Sequence, residues 1–265
     1  MTSPDSVLAQ CRELAFQAGL EIMRFYRRDA GVTFKADSSP LTEADSASHN
    51  FLVKNLPKLL EGVPVISEES LHPAAESACG ASRFWLVDPL DGTKEFVKGT
   101  NEFTVNIALI EQGQPVLGVV HAPALGLTYF AEKHSGAWRE SAGAAPAPIV
   151  TRRADMAHMT VVASKDHAGP MVTAMLTRLP GAELQSMGSS LKFCLVAEGQ
   201  ADLYLRDLPT MEWDTAAAQC VVETAGGFVC TLDGHPLAYG KPGLRNPAVI
   251  TTGDPNLKWG ELVSP

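Results

Sequence analysis

Apolar residues at Val7, Cys11, Leu14, Ala18, Ile22 and Phe25 recur at three- and four-residue steps, and Ser3 and Pro4 precede them as start signals. That period predicts an amphipathic helix over 4–28. A polar stretch, KADSSP, separates it from a second helix predicted over about 42–60, which Pro57 should end or kink. The pattern then changes to apolar or alternating runs of strand length: VPVIS (63–67), FWLVD (84–88), EFTVNIALIE (102–111), PVLGVVHA (115–122) and LTYFAE (127–132). Two helices followed by five strands predict an α+β first half.

The small, proline-bearing stretch ESAGAAPAPIV (140–150) marks a boundary between halves 1–145 and 146–265. Beyond it the pattern alternates. Strands are predicted at 159–164, 182–187, 201–206, 228–231 and 248–252, with helices at 171–179, 189–198 and 214–224. Alternation of that kind reads as an α/β layer. No repeat or low-complexity tract interrupts it.

Composition narrows the function classes. With 45% hydrophobic and 19% charged residues among 265, the chain is expected to be an ordinary globular protein. Its formal charge of −9 disfavours nucleic acid or an anionic membrane as partner, because such binding is driven by Lys and Arg displacing counterions. A phosphorylated small molecule is still admitted if a metal or a local cationic pocket supplies positive charge. No signal-like start and no transmembrane run is visible, so a cytoplasmic protein is expected, with peripheral attachment at the inner membrane left open. The scattered cysteines Cys11, Cys79, Cys194, Cys220 and Cys230 contain no C-x-x-C pair and fit reduced thiols. The sequence assigns no oligomeric state.

The chemistry concentrates in FWLVDPLDGTKEF (84–96). An apolar strand there runs into Asp88 and Asp91, two carboxylates that repel unless something positive lies between them. Glu68 and Glu69 after VPVIS, and Asp214 after Trp213, are further acids at strand ends or helix starts. Oxygen donors from separate segments, with no Cys or His among them, suit Mg²⁺. Pro89 stiffens the turn, Gly92 frees its backbone, and Thr93 opens a short helix whose free N–H groups suit a phosphate. Each acid taken singly also fits an exposed loop or a helix cap. T-E-A-D (42–45) fits a capping box in which Asp45 reaches back to Thr42. The alternative is that Asp45, helped by Thr93, polarises a metal-bound water.

The ordered set E-E (68, 69), D-P-L-D-G-T (88–93) and W-D (213, 214) followed by G-G (226, 227) resembles the lithium-sensitive, magnesium-dependent phosphatase family of inositol monophosphatases, fructose bisphosphatases and 3'(2'),5'-bisphosphate nucleotidases. The segments K-E-F (94–96), V-A-S-K-D-H (162–167) and G-S-S-L-K-F-C-L-V-A-E-G-Q-A-D-L-Y (188–204) resemble its nucleotidase branch. Inositol phosphatases typically carry T-N-F where Lys94, Glu95 and Phe96 stand. The resemblance implies a layered αβαβα sandwich, inhibition by Li⁺, and hydrolysis of 3'-phosphoadenosine 5'-phosphate, a by-product of sulfate assimilation, to AMP and phosphate. By the same resemblance Glu68, Asp88, the Leu90 carbonyl, Asp91 and Asp214 would hold two or three Mg²⁺ ions. Asp45 and Thr93, with Glu68, would activate water; Gly92 and Thr93 would seat the phosphate. Leu90, Asp91 and Asp214 would also touch the substrate, and Ser164, His167, Gly188 and Lys192 would contact the nucleotide. Lys165-Asp166 departs from the pattern at that loop. Three rivals stay open: an inositol monophosphatase of the same family, a phosphatase forming an aspartyl-phosphate, whose D-x-D spacing differs from D-P-L-D, and a non-catalytic metal- or nucleotide-binding protein.

Overall fold

A computed structural model of the chain describes residues 6–27, 33–34, 40–70, 81–163 and 169–263. Helix α1 spans Val7–Met23, its N-terminus capped by the Ser6 hydroxyl, which accepts from the Ala9 amide at 3.2 Å. Leu8, Cys11, Ala15, Ala18 and Ile22 face inward, while Val7, Leu14 and Phe25 pack at the margin of the same core. The helix stops short of the predicted 28. α2 spans Glu43–Asn55 and gives way to a 3-10 turn, Leu56–Lys58, at the proline that the sequence marks as a breaker.

The first sheet has seven strands in sequence order: β1 Val65–Ser67, β2 Arg83–Asp91, β3 Thr104–Glu111, β4 Gln114–Ala122, β5 Leu127–Glu132, β6 Gly136–Ser141 and β7 Ala147–Pro148. Helix α3, Thr93–Lys98, joins β2 to β3. β1 lies parallel to β2, and the remaining pairs are antiparallel. β6 and β7 were not among the predicted strands.

The second sheet is built from β8 Thr160–Ala163, β9 Glu183–Ser186, β10 Leu203–Arg206, β11 Phe228–Thr231 and β12 Val249–Thr252, in the order β9-β8-β10-β12-β11. Its helices are α4 Pro170–Thr177, α5 Leu191–Ala197, α6 Ala216–Thr224 and α7 Gly260–Val263. β8 runs parallel to β9 and β10, and β12 is antiparallel to both of its neighbours.

Side-chain alternation sorts these elements into five layers. Trp85, Val87, Val105, Ile107 and Val119 of the first sheet pack on α1 and α2. Phe84, Leu86, Ala108, Ile110 and Val120 point the other way, onto Phe193 and Cys194 of α5 and Ala217 and Val221 of α6. The same central helices cover Val162, Tyr204 and Val229 of the second sheet, whose outer face packs through Val161, Leu203 and Ile250 on Val172 and Met175 of α4. The arrangement is the αβαβα sandwich that the resemblance implies. Cys11, Cys194, Cys220 and Cys230 are free and buried, and burial pushes the Cys220 and Cys230 thiols up to about 12, which leaves them unreactive. No helix among the described residues is long and apolar enough to cross a membrane.

The layers approach closely at Gly118 of β4, where a methyl group would run into the Ala217 carbonyl and lie 2.8 Å from the Cys220 Cβ. Gly118→Ala is therefore expected to destabilise the protein by about 1–3 kcal/mol. An unchanged midpoint in urea unfolding would show that α6 can move off the sheet without cost.

Candidate active site

Parallel pairing of β1 and β2 sets Ser67 beside Val87, so Glu68 leaves β1 where β2 delivers Asp88. Asp88 and Asp91 are three apart, and a regular strand would point them to opposite faces. The register shifts between Asp88↔Asn106 and Asp91↔Thr104, so β2 carries one extra residue there. This bulge returns both carboxylates to one side. The strand thus runs through Pro89 to Asp91, which corrects the predicted end at 88. Ser48 of α2 donates to the Pro89 carbonyl at 2.8 Å, and the Leu90 amide donates to Asp88 Oδ1 at 3.0 Å. Gly92, at φ 89°, then turns the chain into α3.

Asp214 arrives from the other half of the sequence, on a 3-10 turn, Glu212–Asp214, that precedes α6. The Met211 amide donates to its Oδ2 at 2.8 Å. One carboxylate oxygen each from Asp88, Asp91 and Asp214 lies within 4.8 Å of the others. Burial, then the charges of Glu68, Asp91, Asp214 and Asp45, hold the Asp88 carboxyl well above the usual range. Burial and Asp91 do the same to Asp214, opposed by the Met211 amide. Such a set is poorly matched to itself and well matched to a divalent cation with a preference for oxygen.

A single oxygen of Asp91, Oδ2, accepts from Ser189 Oγ, the Ser190 amide and Ser190 Oγ, each at 2.7 Å, and from Asn106 Nδ2 at 3.4 Å. This ring of donors fixes the carboxylate. Ser189 itself is held at φ 55°.

Asp45 makes the capping box and also meets Thr93, with a different oxygen for each. Its Oδ2 accepts from the Thr42 amide at 2.7 Å and the Thr42 hydroxyl at 2.6 Å, completing the capping box of α2. Its Oδ1 accepts from Thr93 Oγ1 at 3.2 Å, and the same hydroxyl lies 3.3 Å from the Leu90 carbonyl. Burial raises the Asp45 carboxyl above its ordinary value, against the lowering effect of the Thr42 bonds.

A pocket of about 200 Å³ opens beside the acids, lined among others by Asp91, Asp214, Glu95, Lys192, Tyr204 and Arg206. Gly92 and Gly188 are also in its wall; the Gly188 amide is already engaged by Glu102 Oε2 at 2.8 Å. Lys192 is buried, donates to the Ser189 carbonyl at 2.7 Å and lies 5.6 Å from the centre of the Tyr204 ring. Burial lowers its pKa, while Asp91, Glu95 and Asp214 oppose the shift. Ser164 and His167 lie outside the described residues. Sequence reading missed Ser189, Ser190, Tyr204 and Arg206. Arg206, whose Nε is buried without a partner, carried one available signal: a cation ending an otherwise apolar strand.

The sequence profile of the inositol monophosphatase family matches residues 3–257. The chain belongs to that family. It is 47% identical over 235 residues to the 3'(2'),5'-bisphosphate nucleotidase CysQ of Salmonella typhimurium, covering 88% of this chain and 94% of that protein. The CysQ of Haemophilus influenzae is 33% identical over 264 residues, covering 99% and 98%. Among solved structures, CysQ from Bacteroides thetaiotaomicron superposes with a TM-score of 0.78 at 37% identity, covering 93% of this chain and 96% of that one. An IMPase from Thermotoga maritima superposes at 0.80 with 26% identity, covering 97% and 94%.

The raised carboxyls give a stability signature. Their unfolded values lie near 3.8. Above that pH the unfolded chain releases protons that the folded, cation-free protein retains, so stability falls as pH rises toward the folded values, by about 1.4 kcal/mol per pH unit for each such group. Asp88→Asn removes one of these groups. It should abolish turnover, raise the melting temperature of the EDTA-treated protein at pH 7 and flatten its pH dependence. A cation-free variant less stable than wild type would show that Asp88 is not under electrostatic strain.

Proposed function

We propose that the chain is a Mg²⁺-dependent phosphomonoesterase that hydrolyses 3'-phosphoadenosine 5'-phosphate to AMP and phosphate. The carrying observation is the meeting of three carboxylates, Asp88, Asp91 and Asp214, with the Asp45–Thr93 pair beside a pocket lined also by Lys192 and Arg206. Glu68, Asp88, the Leu90 carbonyl, Asp91 and Asp214 would hold two or three Mg²⁺ ions. Bound Mg²⁺ supplies charge neutralisation and a water of lowered pKa.

The chain's own groups then divide the work. Asp45, anchored through Oδ2 to Thr42, presents Oδ1 to the Thr93 hydroxyl and takes the proton of the attacking water; its raised pKa makes it a better base than an exposed aspartate. The water oxygen bonds to phosphorus in line with the ester oxygen, the phosphorus–ester bond breaks, and the leaving alkoxide is protonated from solvent. No covalent enzyme intermediate is formed. Gly92 and Thr93 seat the reacting phosphate. Lys192 and Arg206 supply the cations that a second phosphate needs, and the Tyr204 ring in the same wall offers an aromatic face. That second anionic contact separates a bisphosphate nucleotide from inositol monophosphate, and the names of the CysQ relatives point the same way. Ser164, His167 and Gly188 complete the nucleotide contacts in this reading.

Phosphate release from 3'-phosphoadenosine 5'-phosphate should require Mg²⁺, fall in Li⁺, and exceed release from inositol 1-phosphate by about tenfold or more in kcat/KM. Preference for inositol 1-phosphate would establish the inositol monophosphatase alternative. Tight nucleotide binding without phosphate release would establish a binding protein. Under the same conditions Asp45→Asn is expected to lower kcat by about 10²–10⁴-fold with little change in KM, and unchanged kcat would remove Asp45 from the proton transfer.

A further inference from the structure

Behind the turn that delivers Asp214 lies a buried polar cluster that meets the substrate pocket through Thr215. Glu212 and Asn246 are completely buried, in the layer between the two sheets. Glu212 accepts from the Gly240 amide at 2.7 Å and the Lys241 amide at 3.0 Å, and pairs with the Lys241 ammonium at 2.7 Å. The same ammonium donates to Asn246 Oδ1 at 3.0 Å. Asn246 Nδ2 in turn donates to the Met211 carbonyl at 3.2 Å and to Thr215 Oγ1 at 2.8 Å. None of Glu212, Lys241 and Asn246 is in the pocket wall.

The placement of these bonds is specific. Met211 immediately precedes the 3-10 turn Glu212–Asp214, and Thr215 immediately follows it. One side-chain amide therefore clasps both ends of a single turn. The backbone holds the same place: Thr210 and Met211 pair antiparallel with Asn246 and Arg245. Thr215 closes the loop by donating to the Glu212 carbonyl at 3.1 Å. Met211, whose carbonyl accepts from Asn246, also supplies the amide N–H that orients the Asp214 carboxylate. Packing alone does not call for such a cluster, because replacing buried polar groups with well-fitted apolar ones is often neutral or stabilising. Its effect is geometric, since a buried amide with all its bonds made allows one arrangement.

We infer that Asn246, held by the Glu212–Lys241 ion pair, is a positioning residue that sets Asp214 for cation binding. The inference rests on the proposed function only in taking Asp214 as a cation ligand. Groups that orient a metal ligand through a hydrogen bond typically change metal affinity by about 10–100-fold when removed.

The test is calorimetric titration of the full chain with Mg²⁺ in the absence of substrate. Wild type that takes up no Mg²⁺ would overturn the proposed function itself. Given wild-type binding, Asn246→Leu is expected to weaken Mg²⁺ about 10–100-fold and to lose the Mg²⁺-induced rise in melting temperature. Cys230→Ala, a core truncation in the second sheet, should lower the melting temperature while keeping wild-type affinity. Asn246→Leu with wild-type affinity would overturn the inference. Should that variant fail to fold, the pair Thr215→Val and Thr215→Ser decides: weakened Mg²⁺ in Val and restored affinity in Ser support the clasp, and equal affinities overturn it.

Discussion

The structure is organised around a repulsion. One carboxylate oxygen each of Asp88, Asp91 and Asp214 is brought within 4.8 Å of the others, and Glu68 adds its charge to theirs. Each carboxylate is forced into place by a different device. An extra strand residue turns Asp91 to the side of Asp88, a ring of serine and asparagine donors saturates one of its oxygens, and a backbone amide holds Asp214. Two apolar layers on either side of the first sheet supply the burial that makes the arrangement possible and, by excluding water, make it costly. The strain is local and the stabilising contacts are spread through the layers, a division common where a site must wait for its ligand.

Asp45 shows how a capping carboxylate can keep one oxygen for a second partner. The cap fixes Oδ2 against Thr42 and so dictates where Oδ1 points. Without the cap, the carboxylate would be free to swing; without Thr93, it would be an ordinary first-turn acid. The cap and the Thr93 bond do not compete, because one oxygen serves each.

Most of the layered fold was legible because its strands are buried on both faces and therefore read as apolar runs, FWLV and TVNIALI above all. The edge of the first sheet was not legible. β6, G-A-W-R-E-S, has only Ala137 buried, and the two residues of β7 are exposed. The passage of β2 through Pro89 was missed for a sound reason, since proline removes a ladder donor and normally ends a strand; the bulge absorbs it. In the site, the acids stood out because carboxylates at strand ends are unusual in company. Ser189, Ser190 and Arg206 did not, because hydroxyls and a lone cation acquire meaning only from what they face. Arg206 at the end of β10 and Lys192 of α5 line one pocket, a proximity that no local pattern announces.

The order of the second sheet has a consequence in time. β12 is its last strand in sequence yet lies between β10 and β11, antiparallel to both. Until residues 249–252 have left the ribosome, β11 has no partner in that sheet. The turn that carries Asp214 pairs through Thr210 and Met211 with Asn246 and Arg245, so the charges of Asp88 and Asp91, made early in synthesis, acquire a fixed third member only near the end, when β12 enters between β10 and β11. A chain of this topology is expected to close its reactive centre late and all at once, because contacts between distant segments must wait for the intervening chain to be ordered.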